Sequence, residues 1–273
     1  MRSIAVMNQK GGVGKTTTTV NVAAALAREG AKVCLIDIDP QAHATLHFGI
    51  DPQLKPEVEF KSVYDLLVGN ESVHAIRRQV TENLWILPSH LDLAGAELEL
   101  AAKVGREMIL QRKLKADTMK FDYLLIDCPP SLGLFTINAF TVVEEVFVPI
   151  QPHYFSLHGF GKLSDTIETV SQLLNPKLHV SGVIFCMFDA QTRLAMEVAN
   201  DIQAFIEHER KQGKSTVCSN AKIFETKIRR NIRLAEAPSF GHSIFYYDAG
   251  SNGAEDYYNL VREIMGQVKE KNH

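Results

Sequence analysis

The decapeptide Asn8-Gln9-Lys10-Gly11-Gly12-Val13-Gly14-Lys15-Thr16-Thr17 constrains this chain more than any other feature. It follows an apolar run, Ser3–Asn8, that reads as a β-strand. It leads into Thr16–Glu29, where apolar residues recur at helical spacing. A glycine loop between a strand and a helix is an anion cradle. Gly11, Gly12 and Gly14 let the backbone wrap closely, so the loop N–H groups, that of Val13 included, and the helix N-terminus converge on phosphate oxygens. At this spacing the Lys15 ammonium reaches β- and γ-phosphates, the Thr16 hydroxyl is a Mg²⁺ ligand, and Thr17 meets the α-phosphate. The loop departs from the usual G-x-x-x-x-G-K-[ST] pattern at one point. Its first glycine would fall at position 9, which is Gln9, and Lys10 stands directly before the double glycine.

Apolar runs at Lys32–Asp37, Leu84–Pro88, Tyr123–Asp127, Glu145–Ile150 and His179–Cys186 are nearly continuous, not alternating, as in strands covered on both faces. Ala94–Met119, Leu132–Phe140, Leu157–Leu174, Arg193–Lys211 and Ala254–Lys269 read as the helices between them. Strand–helix alternation predicts an α/β fold: a doubly wound, mostly parallel sheet with helices on both faces. With 273 residues, 45% of them hydrophobic, the chain is expected to form one large domain, residues 1–273. Asp51–Lys61 and Gly213–Asn220 are the softest stretches, the first read as a mobile loop. Four cysteines without a C-x-x-C pair are too few for a disulfide scaffold and favour a reducing cytoplasm.

Two strands end in carboxylates. Asp37 and Asp39, two apart, share a face of an extended chain at the carboxyl edge of the sheet, where α/β proteins bind ligands. Asp127 ends the apolar run Leu124–Ile126 and is placed to hold Mg²⁺ through water, with Pro129-Pro130-Ser131 following as a switch near the γ-phosphate.

These segments resemble the ParA/MinD family of deviant Walker ATPases, and most of all the short chromosomal, Soj-type ParA branch. Beyond Lys10–Thr17, the resemblance rests on Asp37-Ile38-Asp39-Pro40-Gln41 and Leu93-Ala94-Gly95-Ala96-Glu97-Leu98-Glu99. It extends through the Asp127–Leu134 stretch, through Asn231–Ser239 and through Gly253-Ala254-Glu255. The family is a P-loop NTPase, so the resemblance implies ATP and Mg²⁺ as cofactors. It implies that Lys10 crosses to the γ-phosphate of a second subunit, with Gly11 permitting the close approach, and that Asp39 stands beside the attacking water. With Lys15, these residues form the expected catalytic set. Asn231 is expected near the adenine; the family's Pro two residues earlier is here Arg229. The cysteines Cys34, Cys128, Cys186 and Cys218 do not sit in the motifs of the family's iron–sulfur members.

With 29 basic against 32 acidic residues, net charge −3, DNA binding requires a local basic patch. Lys222, Lys227, Arg229, Arg230 and Arg233, with Arg193 as an outlying addition, are that patch, and the resemblance implies DNA binding without sequence preference. No N-terminal helix-turn-helix extension is expected. The C-terminal segment places Tyr257, Val261, Ile264 and Val268 at helical spacing, diluted in charge by Glu263 and Glu270. It reads as a packed helix, not a membrane anchor, so no stable membrane insertion is expected. The implied activity is a slow, partner-stimulated ATPase that partitions a chromosome or plasmid. An ATP-bound homodimer would hold nucleoid DNA and leave it on hydrolysis stimulated by a ParB-like centromere-binding protein. The alternatives are a MinD-like membrane-associated positioning ATPase and a nucleotide-gated scaffold for another cargo.

Overall fold

The computed structural model describes residues 1–51, 60–211 and 217–271. Strands β1 (Arg2–Val6), β2 (Val33–Asp37), β3 (Arg78–Thr81), β4 (Leu84–Leu87), β5 (Tyr123–Asp127), β6 (Glu145–Ile150), β7 (His179–Phe188), β8 (Lys222–Ile223) and β9 (Ile228–Arg229) form one sheet. Its order is β3-β4-β2-β5-β1-β6-β7-β8, with β9 also pairing β7. All described pairings are parallel except β3 with β4. The expected doubly wound α/β sheet is therefore the observed fold. Strands β2, β5 and β6 are buried at every position, which accounts for their unbroken apolar runs.

The helices are α1 (Lys15–Arg28), α2 (His43–His47), α3 (Val63–Leu67), α4 (Val73–Ile76), α5 (Leu93–Leu100), α6 (Ile109–Lys115), α7 (Leu134–Val142), α8 (Ser156–Leu173), α9 (Arg193–Lys211), α10 (Ile232–Glu236), α11 (Ile244–Tyr247) and α12 (Asn252–Lys271). Two apolar cores form, one on each face of the sheet. Residues of α1, α11 and α12 fill one; residues of α3 to α9 fill the other. On α12, Tyr257, Val261 and Ile264 are fully buried and the helix packs on α1, as its spacing predicts. Among the described residues no helix is long and apolar enough to cross a membrane.

One expectation fails outright. Ala94–Met119 is not one helix: α5 stops at Leu100, and α6 begins only after Gly105, which turns the chain at φ +67°. Of the two soft stretches, residues 52–59 and 213–216 lie outside the described residues.

Candidate active site

Strand register builds the site. β5 lies between β2 and β1, and Asp127 is paired with Asp37 on one side and Val6 on the other. The two carboxylate-bearing strand ends and the glycine loop that follows β1 thus leave the sheet at the same edge. A cleft of about 730 Å³ opens there; Gly11, Lys15, Thr16, Asp39, Pro130 and Asn231 are among its lining residues.

The loop achieves its curvature through Gly12 at φ +73° and Gly14 at φ +93°, and Gly14 is the residue before α1. The Val13 side chain is buried, so only its backbone can face a phosphate. Lys15 is 7% exposed, and its Nζ donates to the Lys10 carbonyl at 3.1 Å. Burial lowers its pKa; the neighbouring Asp127 and Asp39 carboxylates oppose that shift. The Thr16 hydroxyl donates to Asp127 Oδ2 at 2.7 Å, and the Thr19 hydroxyl to Oδ1 at 2.9 Å. Burial raises the Asp127 pKa against these two bonds. Thr19 was not among the expected site residues, although its i+3 spacing from Thr16 puts both hydroxyls on one side of α1. Thr17 also lines the cleft.

Asp37 and Asp39 do not share a face. Asp37 is fully buried and outside the cleft. Its Oδ2 accepts the Thr45 N–H (2.8 Å) and hydroxyl (2.7 Å), and its Oδ1 accepts the Asp39 N–H at 3.2 Å. It holds the turn into α2, where Ala42 adopts φ +53°. Asp39 faces the cleft, with Oδ1 accepting the Gln41 N–H at 2.9 Å and its carbonyl accepting the Ser89 hydroxyl at 2.7 Å.

On the far side, Asn231 begins α10. Its Oδ1 accepts the Arg233 N–H at 2.8 Å, leaving its amide nitrogen as the group available to a base. Met187, at φ +50°, Ile228 and Tyr257 add apolar lining that no sequence motif marked. Arg229 takes the place of the family's Pro. Its N–H donates to Asp256 Oδ2 at 2.8 Å, a bond proline cannot make, and its guanidinium is held by Asp256 and Glu255, both at 2.7 Å.

Residues 1–180 match the AAA domain family model. The chain is 44% identical over 96% of its length to the sporulation initiation inhibitor protein Soj of Bacillus subtilis, covering 97% of that protein. It is 38% identical over 97% of its length to a chromosome-partitioning ATPase Soj of Treponema pallidum, covering 98% of it. This chain is a Soj-type member of the ParA family. Among solved structures, a Mycobacterium smegmatis cobyrinic acid a,c-diamide synthase with bound ADP and magnesium superposes with a TM-score of 0.79 at 32% identity, over 98% of this chain and 96% of that one.

As a ParA-family ATPase, the protein uses ATP and Mg²⁺. The donors beside Lys15 fit the metal: Thr16 and Asp127 offer hard oxygens already in contact, and the neighbouring Cys128 thiol is buried with its pKa raised by that burial. When bound there, Mg²⁺ neutralises charge developing on the phosphate oxygens. The loop N–H groups and Lys15 would face the phosphates, and buried Asp127 keeps Thr16 in place.

The expected basic patch of this ParA-family chain is partly paired. Arg229 is committed to α12, and Arg233 pairs with Glu236 at 2.9 Å and Asp248 at 3.4 Å. Lys227 sits over the Phe188 ring at 4.9 Å. Lys222 and Arg230 are exposed, as is Arg193 at the start of α9. Arg229 and Arg230 also line the cleft, so this part of the basic patch adjoins it.

Proposed function

We propose that this protein is a DNA-partitioning ATPase whose ATP-bound homodimer holds DNA without sequence preference and leaves it when hydrolysis is stimulated by a ParB-like partner. The observation that carries the reading is one cleft lined by Gly11, Gly12, Gly14, Lys15, Thr16 and Asp39, with buried Asp127 hydrogen-bonded to Thr16, in a chain similar end to end to a chromosome-partitioning ATPase. Asp39 orients the attacking water, Asn231 contacts the adenine, and the protein works in the cytoplasm on the nucleoid. Pelleting with random duplex DNA against pelleting with anionic liposomes, both with ATP and Mg²⁺, tests it. DNA-dependent sedimentation is expected; liposome binding without DNA binding would replace the reading with a membrane-positioning role.

Lys10 supports a dimer-dependent role. It is exposed and does not line its own cleft, although its carbonyl receives Lys15. Lys10→Ala is expected to leave ATP binding by dilute monomer largely intact and to weaken ATP-dependent dimerisation about a hundredfold or more, the loss of two symmetry-related charge-assisted contacts. Analytical ultracentrifugation with ATP checks this, and an unaltered dimer fraction would count against the trans contact.

For DNA, the exposed pair Lys222 and Arg230 is the informative one. Lys222→Ala with Arg230→Ala should lower the slope of log affinity against log salt by about 2, since each phosphate contact contributes about 0.9. Fluorescence anisotropy on random duplex DNA reads the slope. An unchanged value, with ATP binding intact, would move the DNA surface elsewhere.

A further inference from the structure

We propose that Glu97, on α5, is a positioning residue for the loop that carries Pro130 into the nucleotide cleft, an inference that rests on the cleft being the ATPase site. The loop runs from Asp127 at the end of β5 to Gly133, and α7 begins at Leu134. At the sheet it is anchored firmly. Asp127 is fully buried, its carbonyl accepts the Ile38 N–H at 3.1 Å, and the Cys128 N–H donates to the Val6 carbonyl at 3.4 Å. At the other end α7 lacks a cap of its own. Gly133 occupies the capping position and has no side chain to accept a helix N–H.

Glu97 supplies the missing acceptor from a different helix. Its Oε1 accepts the Leu134 N–H at 3.0 Å, placing a carboxylate at the positive end of α7. The residues around Glu97 hold it there: Leu93, Ala96 and Leu100 are fully buried on the inner side of α5. The contact also accounts for glycine at 133. A Cβ built there would lie 2.6 Å from Glu97 Oε1. Backbone conformation does not demand the glycine, because φ −81° and ψ −167° are open to any residue. Within the loop, the Thr136 hydroxyl donates to the Ser131 carbonyl at 2.6 Å, tying the segment after Pro130 to the first turn of α7. The path from Glu97 to the cleft is therefore short: carboxylate, α7 start, Ser131, Pro130. The Leu93–Glu99 segment, which marks the resemblance but contributes no residue to the cleft lining, thereby acquires a part in turnover.

Four variants test the role: Glu97→Ala, Gly133→Ala, the double variant and Glu97→Gln. Losing one helix cap corresponds to about a fivefold shift in a local equilibrium. Glu97→Ala is therefore expected to lower kcat about fivefold, with KM for ATP within about twofold of wild type because the phosphate loop is untouched. Gly133→Ala should behave alike, since the added methyl displaces the same carboxylate. The double variant should be no worse than either single change, as expected when both remove one contact. Glu97→Gln keeps an acceptor oxygen and should retain most of the turnover. Amide exchange at Leu134, read without nucleotide, should quicken about fivefold in both alanine variants and not in Glu97→Gln. Wild-type kcat in Glu97→Ala, additive losses in the double variant, or unchanged exchange at Leu134 would each overturn the role. Wild-type protein that releases no phosphate would instead overturn the ATPase site, and this role with it.

Discussion

Lys15→Ala is expected to weaken ATP binding at least about a hundredfold. The Lys15 ammonium sits on the Lys10 carbonyl at 3.1 Å with only 7% of the residue exposed, so the charge is placed in advance at the centre of the loop. A phosphate receiving it gains charge-assisted hydrogen bonds, each contributing about 1.5–3 kcal/mol; losing two of them corresponds to roughly 10²–10⁴ in affinity. The effect is sharpened by what remains. Asp39 and Asp127 stand around the vacated position, and without Lys15 they meet the incoming phosphates as uncompensated like charges. Lys15→Arg should not rescue binding, because the planar guanidinium is bulkier and projects its donors differently from a compact ammonium. Calorimetric titration with ATP and Mg²⁺ reads the affinity, and a thermal melt of each variant confirms that it is folded. Undiminished binding by folded Lys15→Ala would sink the assignment of the phosphate loop.

The elements that sequence reasoning placed well are those whose physics is local. Tyr123–Asp127, Glu145–Ile150 and Arg193–Lys211 are observed with the expected bounds, because a buried strand needs a continuous apolar run and an amphipathic helix a periodic one. The glycine loop was legible for a related reason: positive φ at Gly12 and Gly14 is a demand on residue type, written directly into the sequence. Ala94–Met119 misled because its apolar spacing continues through Gly105, where the backbone turns. β8 and β9, two residues each, are too short to show any period. The site residues divide in the same way. Which of Asp37 and Asp39 enters the cleft depends on Thr45, eight residues beyond the strand end, capturing the Asp37 carboxylate. That Arg229 is tied down depends on Asp256, 27 residues away, and the cap on α7 comes from Glu97, 37 residues before it. Pairings at such separations leave no spacing pattern to read.

Asp39→Ala is expected to retain ATP binding while losing turnover by about a hundredfold or more, the scale of removing a positioned acid–base or electrostatic group. The structure separates the two effects. The turn that carries Asp39 is built mainly by others: Asp37 Oδ1 accepts the Asp39 N–H, and the Ser89 hydroxyl donates to its carbonyl. Both contacts use the Asp39 backbone and survive the substitution. Among the described residues the side-chain bond is the one that Oδ1 accepts from Gln41, so Oδ2 could receive a water. Removing a carboxylate from beside Lys15 also removes a like charge facing the phosphates, so affinity should hold or rise. Asp39→Asn sharpens the test, because it keeps an oxygen for the Gln41 N–H while removing the charge. If the role is electrostatic, Asn is as inactive as Ala; if the side chain only braces the turn, Asn is nearly wild type. An ATP-bound dimer that cannot hydrolyse should accumulate, so light scattering with ATP and Mg²⁺ should show a persistent dimer where the wild-type signal decays. Wild-type phosphate release by Asp39→Ala would remove the residue from the hydrolytic machinery and leave Lys10 and Lys15 as the charged groups of the loop to account for turnover.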